Sequence, residues 1–200
     1  MADIRVIGVC KHQSLEAIEA GIELGVRALG NNYIQEGQAL MASLASRAPL
    51  EWHFIGHIQS RKVQDLLDYD WVQSLDRLKV VRALNDTLLE QGKVIQGLVQ
   101  VNIGEEAQKS GVLPKDIANF VSEVSAFKAI RLRGLMALPP PLDPVERRAP
   151  FFEQMKSIFD GYQSSHGWDT LSMGTSDDYW VALKCGANMV RLGTCLYGSR

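Results

Sequence analysis

The feature that most constrains the fold of this 200-residue chain is a regular alternation of short β-type runs with longer helical patterns. The β-type runs are apolar or rich in β-branched residues, and turn-forming or polar residues bound them, as is typical of strands. Eight such runs lie at residues 5–10, 28–30, 52–56, 71–74, 94–103, 132–138, 170–173 and 189–192. Helical patterns lie between them at residues 14–24, 33–45, 61–67, 78–90, 114–127, 146–164 and 177–184.

Eight strands that alternate with helices predict an α/β protein, a closed parallel (β/α)8 TIM barrel. An open doubly wound sheet is the alternative, but no phosphate fingerprint of the GxGxxG or P-loop type follows the first run. No linker or composition shift marks a second domain, so we expect one barrel domain over residues 1–200. The pattern predicts only seven helices for eight strands, so the apolar outer face of one strand would lack a helix. We expect another segment, a partner chain or the C-terminal tail to cover that face.

Charge and cysteine usage exclude several classes of protein. The chain has 21 basic and 23 acidic residues, so its formal net charge of −2 gives no bulk reason to expect nucleic acid or an anionic membrane as a partner. No apolar stretch approaches the ~18 residues that span a bilayer. The three cysteines lack CxxC spacing, which indicates reduced thiols and a cytoplasmic protein. The four histidines are scattered, and we expect no metal site.

A barrel of this kind carries its active site at the C-terminal ends of its strands. Most of the residues that the eight runs place at that rim have small, polar or cationic side chains. They are Lys11, Asn31, Asn32, Tyr33, Gly56, His57, Ser74, Asn102, Met136, Ser172, Met173, Gly174, Thr175, Ser176, Arg191, Gly193 and Thr194.

Lys11 stands where an apolar run ends and a polar segment begins. Loss of water around an ammonium lowers the pKa of a lysine and provides a free amine for Schiff-base chemistry. The alternative is a solvated lysine in a strand-to-helix loop. The loops after the seventh and eighth strands are the usual phosphate site of this fold, since the N–H groups of small residues approach an anion closely. A Schiff-base lysine opposite a phosphate site indicates pyridoxal 5'-phosphate (PLP) as the cofactor.

Seven ordered segments resemble the pyridoxal phosphate homeostasis protein family, the single-domain relatives of the alanine racemase barrel known as fold type III. They are GVCK at 8–11, GNNYIQE at 30–36, WHFIGHIQ at 52–59, VNI at 101–103 with KSG at 109–111, RGLM at 133–136, LSMG at 171–174 and VRLGT at 190–194. Family members usually begin with an extra helix before the first strand, and no such segment precedes the first run here. The chain departs from the family pattern at Asn31, Arg61 and Thr175.

The resemblance implies a role for each residue that matches a family motif. Lys11 would form the Schiff base with the cofactor aldehyde, and Asn32 would lie near the cofactor. Arg191 would face the pyridine nitrogen. The cofactor-binding residues expected from the resemblance are Lys11, Asn32, Ser172, Met173, Arg191, Gly193 and Thr194, with the phosphate at Ser172, Gly193 and Thr194. We expect no catalytic residue in this set.

The resemblance also implies a function: the protein would hold and deliver PLP in vitamin B6 homeostasis without substantial catalytic activity. A PLP-dependent amino-acid racemase is the alternative, but alanine racemase takes a second acid/base from an additional domain, and 200 residues leave no room for one. A Schiff-base aldolase without a cofactor is the third possibility, and Lys11 has no obvious acid partner. The expected partners are PLP and PLP-dependent apo-enzymes that receive it, and the expected state is a monomer or a weak dimer.

Other polar residues receive structural interpretations. His53, inside the third run, is predicted to be a hydrogen-bonded core residue, whereas His57 at its exit is a weaker candidate for the cofactor site. Cys10 points away from Lys11 across the strand and is interpreted as structural. The pair Asp177–Asp178 is interpreted as a helix cap, and the pair Arg147–Arg148 as a solvated helix start.

Overall fold

The computed structural model describes residues 4–47 and 49–198, which form a closed barrel of eight parallel strands. Each strand pairs with the next along the chain, and the eighth pairs with the first, so the sheet has no edge. The strands are β1 (Arg5–Val9), β2 (Ala28–Asn31), β3 (Glu51–Phe54), β4 (Trp71–Leu75), β5 (Ile95–Val101), β6 (Ile130–Ala137), β7 (Thr170–Thr175) and β8 (Met189–Leu192). The predicted TIM barrel is confirmed; the predicted domain limits at residues 1 and 200 lie outside the described residues.

Helices connect the strands around the outside of the barrel. The α-helices are α1 (Leu15–Glu23), α2 (Ile34–Ser43), α3 (Leu78–Glu90), α4 (Ile117–Val124), α5 (Ala149–His166), α6 (Tyr179–Lys184) and α7 (Thr194–Tyr197). Three 3₁₀ segments add to them, Ser60–Leu66, Pro114–Asp116 and Val145–Arg148. Ser14 caps the N-terminus of α1, because its hydroxyl accepts the Ala17 N–H at 3.2 Å. None of the helices in the described ranges is long and apolar enough to cross a membrane.

The core has two layers because successive strand residues face opposite sides of the sheet. The larger layer lies between the strands and the helices, and Phe54, Phe152 and Trp168 are fully buried there. The smaller layer fills the barrel interior, with Ile7, Ala28, Trp71, Leu98, Met136 and Met189. The interior is therefore a packed core and not a pore.

The N-terminal end of the barrel is filled by Trp71. The guanidinium groups of Arg5 and Arg133 lie 4.9 and 5.7 Å from its ring centroid, and the His53 ring stacks on it at 5.3 Å. Arg5 in turn pairs with Glu51 at the start of β3. With this end of the barrel interior filled, the interior opens to a cavity at the C-terminal ends of the strands.

The 3₁₀ segment Ser60–Leu66 stands where the third of the seven predicted helices was expected, and α7 is an eighth helical segment that was not predicted. It is a single turn directly after β8, too short to give a periodic sequence signal. Its Tyr197 ring packs against Gly8 of β1 and Gly21 of α1. A Cβ atom added to Gly8 would lie 2.1 Å from the Tyr197 hydroxyl oxygen, and one added to Gly21 would lie 2.7 Å from a carbon of the Tyr197 ring. The C-terminal segment thus covers part of the outer face of β1, while Val6 stays 36% exposed.

Candidate functional site

A cavity of about 560 Å³ opens at the C-terminal ends of the strands, within the usual size range of small-molecule sites. Six strand ends and their loops, those of β1, β2, β3, β6, β7 and β8, contribute its wall. The lining residues are Val9, Lys11, Gln13, Asn32, Ile55, Met136, Leu138, Thr175, Ser176, Asp177, Arg191, Gly193 and Thr194. One ammonium, one guanidinium, one carboxylate and several hydroxyl groups therefore surround a partly apolar space.

Lys11 reaches this cavity because of the alternation along β1. Ile7 lies in the barrel interior and Val9 lines the cavity, so the inward series continues to Lys11, two residues beyond the strand end. The side chain is half-buried. Within residues 4–47 and 49–198 its ammonium makes no hydrogen bond or ion pair. By contrast, Lys109 is tied to Glu106 at 2.6 Å and to the Pro139 carbonyl at 3.1 Å.

Arg191 forms the floor of the same cavity. It pairs in register with Ile7, four residues before Lys11, so the two positions are at most about 13 Å apart along the strand direction at ~3.3 Å per strand residue. Its Nη1 donates to the Ser172 hydroxyl at 2.6 Å and its Nη2 to the Ala137 carbonyl at 3.0 Å. Burial lowers the pKa of Arg191 to about 10, against an opposing effect of the Asp178 charge, so the side chain is cationic at neutral pH.

The loops after β7 and β8 meet at the rim next to the end of β1, because β8 pairs with β1. The backbone N–H groups of Gly193 and Cys195 point at one oxygen, the Ser176 hydroxyl, at 3.0 and 3.4 Å. The structure therefore brings small residues and convergent backbone donors to the position where this fold binds anions.

A buried carboxylate holds the β7 loop in place. Asp178 accepts the backbone N–H of Thr175 at 2.6 Å and the Thr175 hydroxyl at 3.0 Å. Its other oxygen accepts from Arg148 at 2.8 Å, and the exposed fractions of the two side chains are 14% for Arg148 and 4% for Asp178. The interpretation of Arg148 as solvated is therefore wrong. Asp178 does stand at the N-cap position of α6, but its carboxylate turns back to the loop.

Asn32 lines the cavity and carries a buried, unpaired acceptor. It follows β2, and its side-chain oxygen Oδ1 is shielded from solvent without a hydrogen-bond partner in the part of the chain that the structure describes. A buried polar atom without a partner costs free energy, so this oxygen is an unsatisfied group in the cavity wall.

Two of the seven predicted cofactor-binding residues, Ser172 and Met173, do not line the cavity. Met173 faces out of the barrel and is fully buried in the core beneath the helices, because strand residues alternate between the faces. Ser172 faces inward but lies below the cavity, where its hydroxyl accepts from Arg191 and donates to Gln73 at 2.7 Å. The other five, Lys11, Asn32, Arg191, Gly193 and Thr194, are brought together.

The remaining histidine and cysteine interpretations agree with the structure. His53 is fully buried and bonded through both ring nitrogens, and His57 lies outside the cavity beside Arg77 and Ser110. Cys10 is buried between the barrel and the helices, and burial raises the pKa of its thiol to about 12. All three cysteines are free. Among the described residues, no cluster of histidine, cysteine and carboxylate side chains could hold a metal ion.

Thr175, Ser176 and Asp177 line the cavity although they were not among the seven expected cofactor-binding residues; Thr175 and Ser176 were expected at the rim. They follow β7 directly, so their position at the rim was already a signal in the sequence. The importance of Asp178 had no such signal, because its partner Arg148 is 30 residues away in the chain.

The fold and the cavity define a single-domain (β/α)8 barrel with a lysine at the end of the first strand and an arginine on the eighth. A family model of the alanine racemase N-terminal domain matches residues 6–200. The pyridoxal phosphate homeostasis protein of Pasteurella multocida is 37% identical over 202 residues, which cover 98% of this chain and 87% of that protein. The counterpart from Escherichia coli K12 is 36% identical, with 99% and 86% covered. This chain belongs to the pyridoxal phosphate homeostasis protein family within the alanine racemase barrels.

Solved structures support the same assignment. PipY of Synechococcus elongatus superposes with a TM-score of 0.91 without PLP and 0.89 with PLP bound, at 29% and 28% identity. The two alignments cover 98% of this chain and 93% and 92% of those chains. Alanine racemase of Clostridium difficile, at 18% identity and a TM-score of 0.76, shares the fold; the match covers 100% of this chain and 53% of the racemase.

Proposed function

We propose that this protein binds PLP as a Schiff base on Lys11 and acts in PLP homeostasis rather than as an enzyme. The observation that carries the proposal is the shared cavity of Lys11 and Arg191, with the small-residue loops of β7 and β8 on its rim. Its relatives carry the name pyridoxal phosphate homeostasis protein, and PipY binds PLP.

The groups around the cavity fit the parts of PLP one by one. PLP has an aldehyde, a pyridine nitrogen, a phenolic oxygen and a phosphate. An amine, a cationic donor and a set of backbone N–H groups are the protein groups that suit an aldehyde, a ring nitrogen and a phosphate. Asn32, which the resemblance places near the cofactor, also lines the wall. We extend the phosphate site from Gly193 and Thr194 to Ser176, whose hydroxyl already gathers two backbone donors.

The chemistry of attachment needs only Lys11. The neutral amine adds to the aldehyde carbon, a C=N bond replaces the C=O bond, and one water leaves. Lys11 is the lysine of the cavity wall, and no carboxylate among the described residues pairs with its ammonium. The side chain is therefore available for the reaction without the loss of an ion pair.

Arg191 supports the proposed absence of turnover. A guanidinium only donates hydrogen bonds and remains charged at neutral pH, so a pyridine nitrogen in front of it stays unprotonated. An unprotonated pyridine accepts electrons from a substrate carbanion less well than a pyridinium. Racemisation also needs an acid/base on each face of the cofactor. Besides Lys11, the lining contributed by residues 4–47 and 49–198 offers one carboxylate, Asp177 on the β7 loop, and no tyrosine, histidine or cysteine.

We further propose the cytoplasm as the compartment, with PLP-dependent apo-enzymes as recipients of the bound cofactor. Three free thiols favour a reducing environment. The cavity opens to solvent at the rim, so PLP can leave by the reverse of the attachment reaction.

Absorbance spectroscopy tests this proposal. Addition of PLP to the wild-type protein should produce the visible band of a protein-bound Schiff base, and Lys11→Met should abolish it. Lys62→Met is the matched control, since Lys62 lines a small hollow beside Asn32 rather than the main cavity. Retention of the full band by Lys11→Met, or its loss in Lys62→Met, would contradict the assignment.

Chiral chromatography separates the carrier from the racemase. The PLP-loaded protein should leave L-alanine and other ordinary amino acids unchanged over many equivalents of substrate. Sustained formation of a D-amino acid by the wild-type protein, but not by Lys11→Met, would contradict the proposed carrier function and indicate an enzyme.

A further inference from the structure

A continuous chain of hydrogen bonds runs through the barrel interior beneath the cavity. Arg191 Nη1 lies 2.6 Å from Ser172 Oγ, which lies 2.7 Å from Gln73 Oε1. Gln73 Nε2 lies 2.9 Å from His53 Nδ1, and His53 Nε2 lies 2.6 Å from Glu51 Oε1. Ser172, Gln73 and His53 are 0% exposed and Arg191 is 4% exposed. We call these five side chains the interior column; it joins the cavity floor to the opposite end of the barrel.

The chemistry of its two ends gives the column one direction. A guanidinium can only donate and a carboxylate can only accept. The Ser172 hydroxyl accepts from Arg191, so its own proton goes to Gln73 Oε1, and the amide N–H of Gln73 then points to His53. His53 must accept at Nδ1, carry its proton on Nε2 and donate to Glu51. Every donor therefore points from Arg191 toward Glu51, and a buried network satisfied in this way holds its members in one arrangement.

The groups that touch Arg191 are neutral. Its contacts are the Ser172 hydroxyl and the Ala137 carbonyl, and no carboxylate within residues 4–47 and 49–198 forms an ion pair with it. The column thus fixes the guanidinium without neutralising it. A charged donor that is held but not paired keeps its interaction strength for a ligand.

We propose that Gln73 and His53 are positioning residues, which orient Arg191 toward the ligand through Ser172. The inference rests on the proposed function, because the ligand is taken to be PLP. Neither residue lines the cavity, so neither touches the cofactor. Their effect arises because the supporting partners of a binding group fix its geometry, as they do for metal ligands.

The Gln73→Met variant tests the column at its centre. Methionine has a similar length to glutamine and no amide group. The Ser172 hydroxyl therefore loses the oxygen that accepts its hydrogen bond, and His53 Nδ1 loses the N–H group that donates to it. We expect the dissociation constant of PLP to rise at least tenfold and the visible circular dichroism of bound PLP to change, since that signal reports how the chromophore is held. Asn85→Leu is the matched control: Asn85 is buried and accepts the Ala129 N–H at 3.1 Å, but it lies on α3 outside the column.

A merely structural role predicts a different result. Both variants would then lower the melting temperature, and the PLP affinity and circular dichroism of the folded protein would match the wild type. That outcome, with normal PLP binding by the wild type, would overturn the positioning role and leave the proposed function intact. Failure of the wild type to bind PLP would overturn both. If Gln73→Met does not fold, Ser172→Ala replaces it: it removes only the hydroxyl that links Arg191 to Gln73, and it should raise the dissociation constant of PLP by the same tenfold or more. Wild-type affinity in that variant would overturn the positioning role.

The tautomer of His53 tests the column without PLP. Nitrogen-15 NMR of the ligand-free protein at neutral pH should report a neutral ring protonated on Nε2. A ring protonated on Nδ1 would contradict the direction of the column and with it the support for Arg191. Burial lowers the pKa of His53, which favours the neutral ring that this arrangement needs.

Discussion

Removal of the Asp178 carboxylate should destabilise the protein strongly and loosen the β7 loop. Asp178 accepts three hydrogen bonds, two from Thr175 and one from Arg148. Removal of one partner of a buried ion pair costs about 3–5 kcal/mol, because the other charge stays buried without compensation. Thr175 is only half-buried, so water satisfies part of its lost bonding. We therefore expect Asp178→Ala to lower the free energy of unfolding by about 4 kcal/mol.

Urea denaturation followed by tryptophan fluorescence measures this loss. The midpoint should fall while the slope stays unchanged, and for a chain of this length the melting temperature should fall by roughly 8–16 °C. Asp178→Asn keeps an oxygen that accepts from Thr175 but lacks the negative charge, so its free energy of unfolding should fall less than that of Asp178→Ala. Asp177→Ala is the matched control, since its exposed neighbouring carboxylate should change stability by no more than about 0.5 kcal/mol.

A double-mutant cycle with Arg148→Met identifies the cause. If the buried ion pair carries the effect, the two substitutions together should cost clearly less than the sum of their separate costs. A loss below about 1 kcal/mol for Asp178→Ala, or full additivity with Arg148→Met, would refute the reasoning.

Three further predictions concern other parts of the fold. Tyr197→Ala should lower the free energy of unfolding, measured by urea denaturation, by about 2–4 kcal/mol through loss of packing against Gly8. Tyr197→Phe should leave that free energy unchanged, since the hydroxyl is buried without a partner in the described residues. Stability should fall as the pH drops below about 6.5, the ordinary pKa of histidine. Burial lowers the pKa of His53, so just below pH 6.5 only the unfolded state takes up a proton at this residue. The free energy of unfolding should then fall by at most about 1.4 kcal/mol per pH unit. The decline should be shallower in His53→Gln. With a thiol-reactive disulfide reagent at pH 8, the exposed Cys195 should react in the native protein and Cys10, whose pKa burial raises to about 12, only after unfolding.

The barrel could be predicted from the sequence because its signal is local. Each strand is a short apolar run and each long helix has its own periodicity, so counting them gives the architecture. The turn Thr194–Tyr197 gave no such signal, and its place is fixed by the packing of Tyr197 on Gly8 and Gly21. Tertiary packing rather than local sequence determines elements of this length.

The site was only partly predictable for a similar reason. Residues at strand ends reach the rim in every barrel of this type, so Lys11, Asn32 and Gly193 could be assigned from position. Distances within the rim depend on register and depth, which sequence patterns do not give. Ser172 therefore lies one level below the cavity and supports Arg191, and the interior column joins β3, β4, β7 and β8 through contacts that no local pattern reveals.

Borohydride reduction followed by peptide mass mapping tests the central claim most directly. Reduction converts a Schiff base into a stable secondary amine, which marks the lysine that held PLP. The account predicts a single phosphopyridoxyl group on Lys11 in the wild-type protein and none in Lys11→Met. A modification that maps to Lys62 or Lys109 instead, or persists in Lys11→Met, would contradict it.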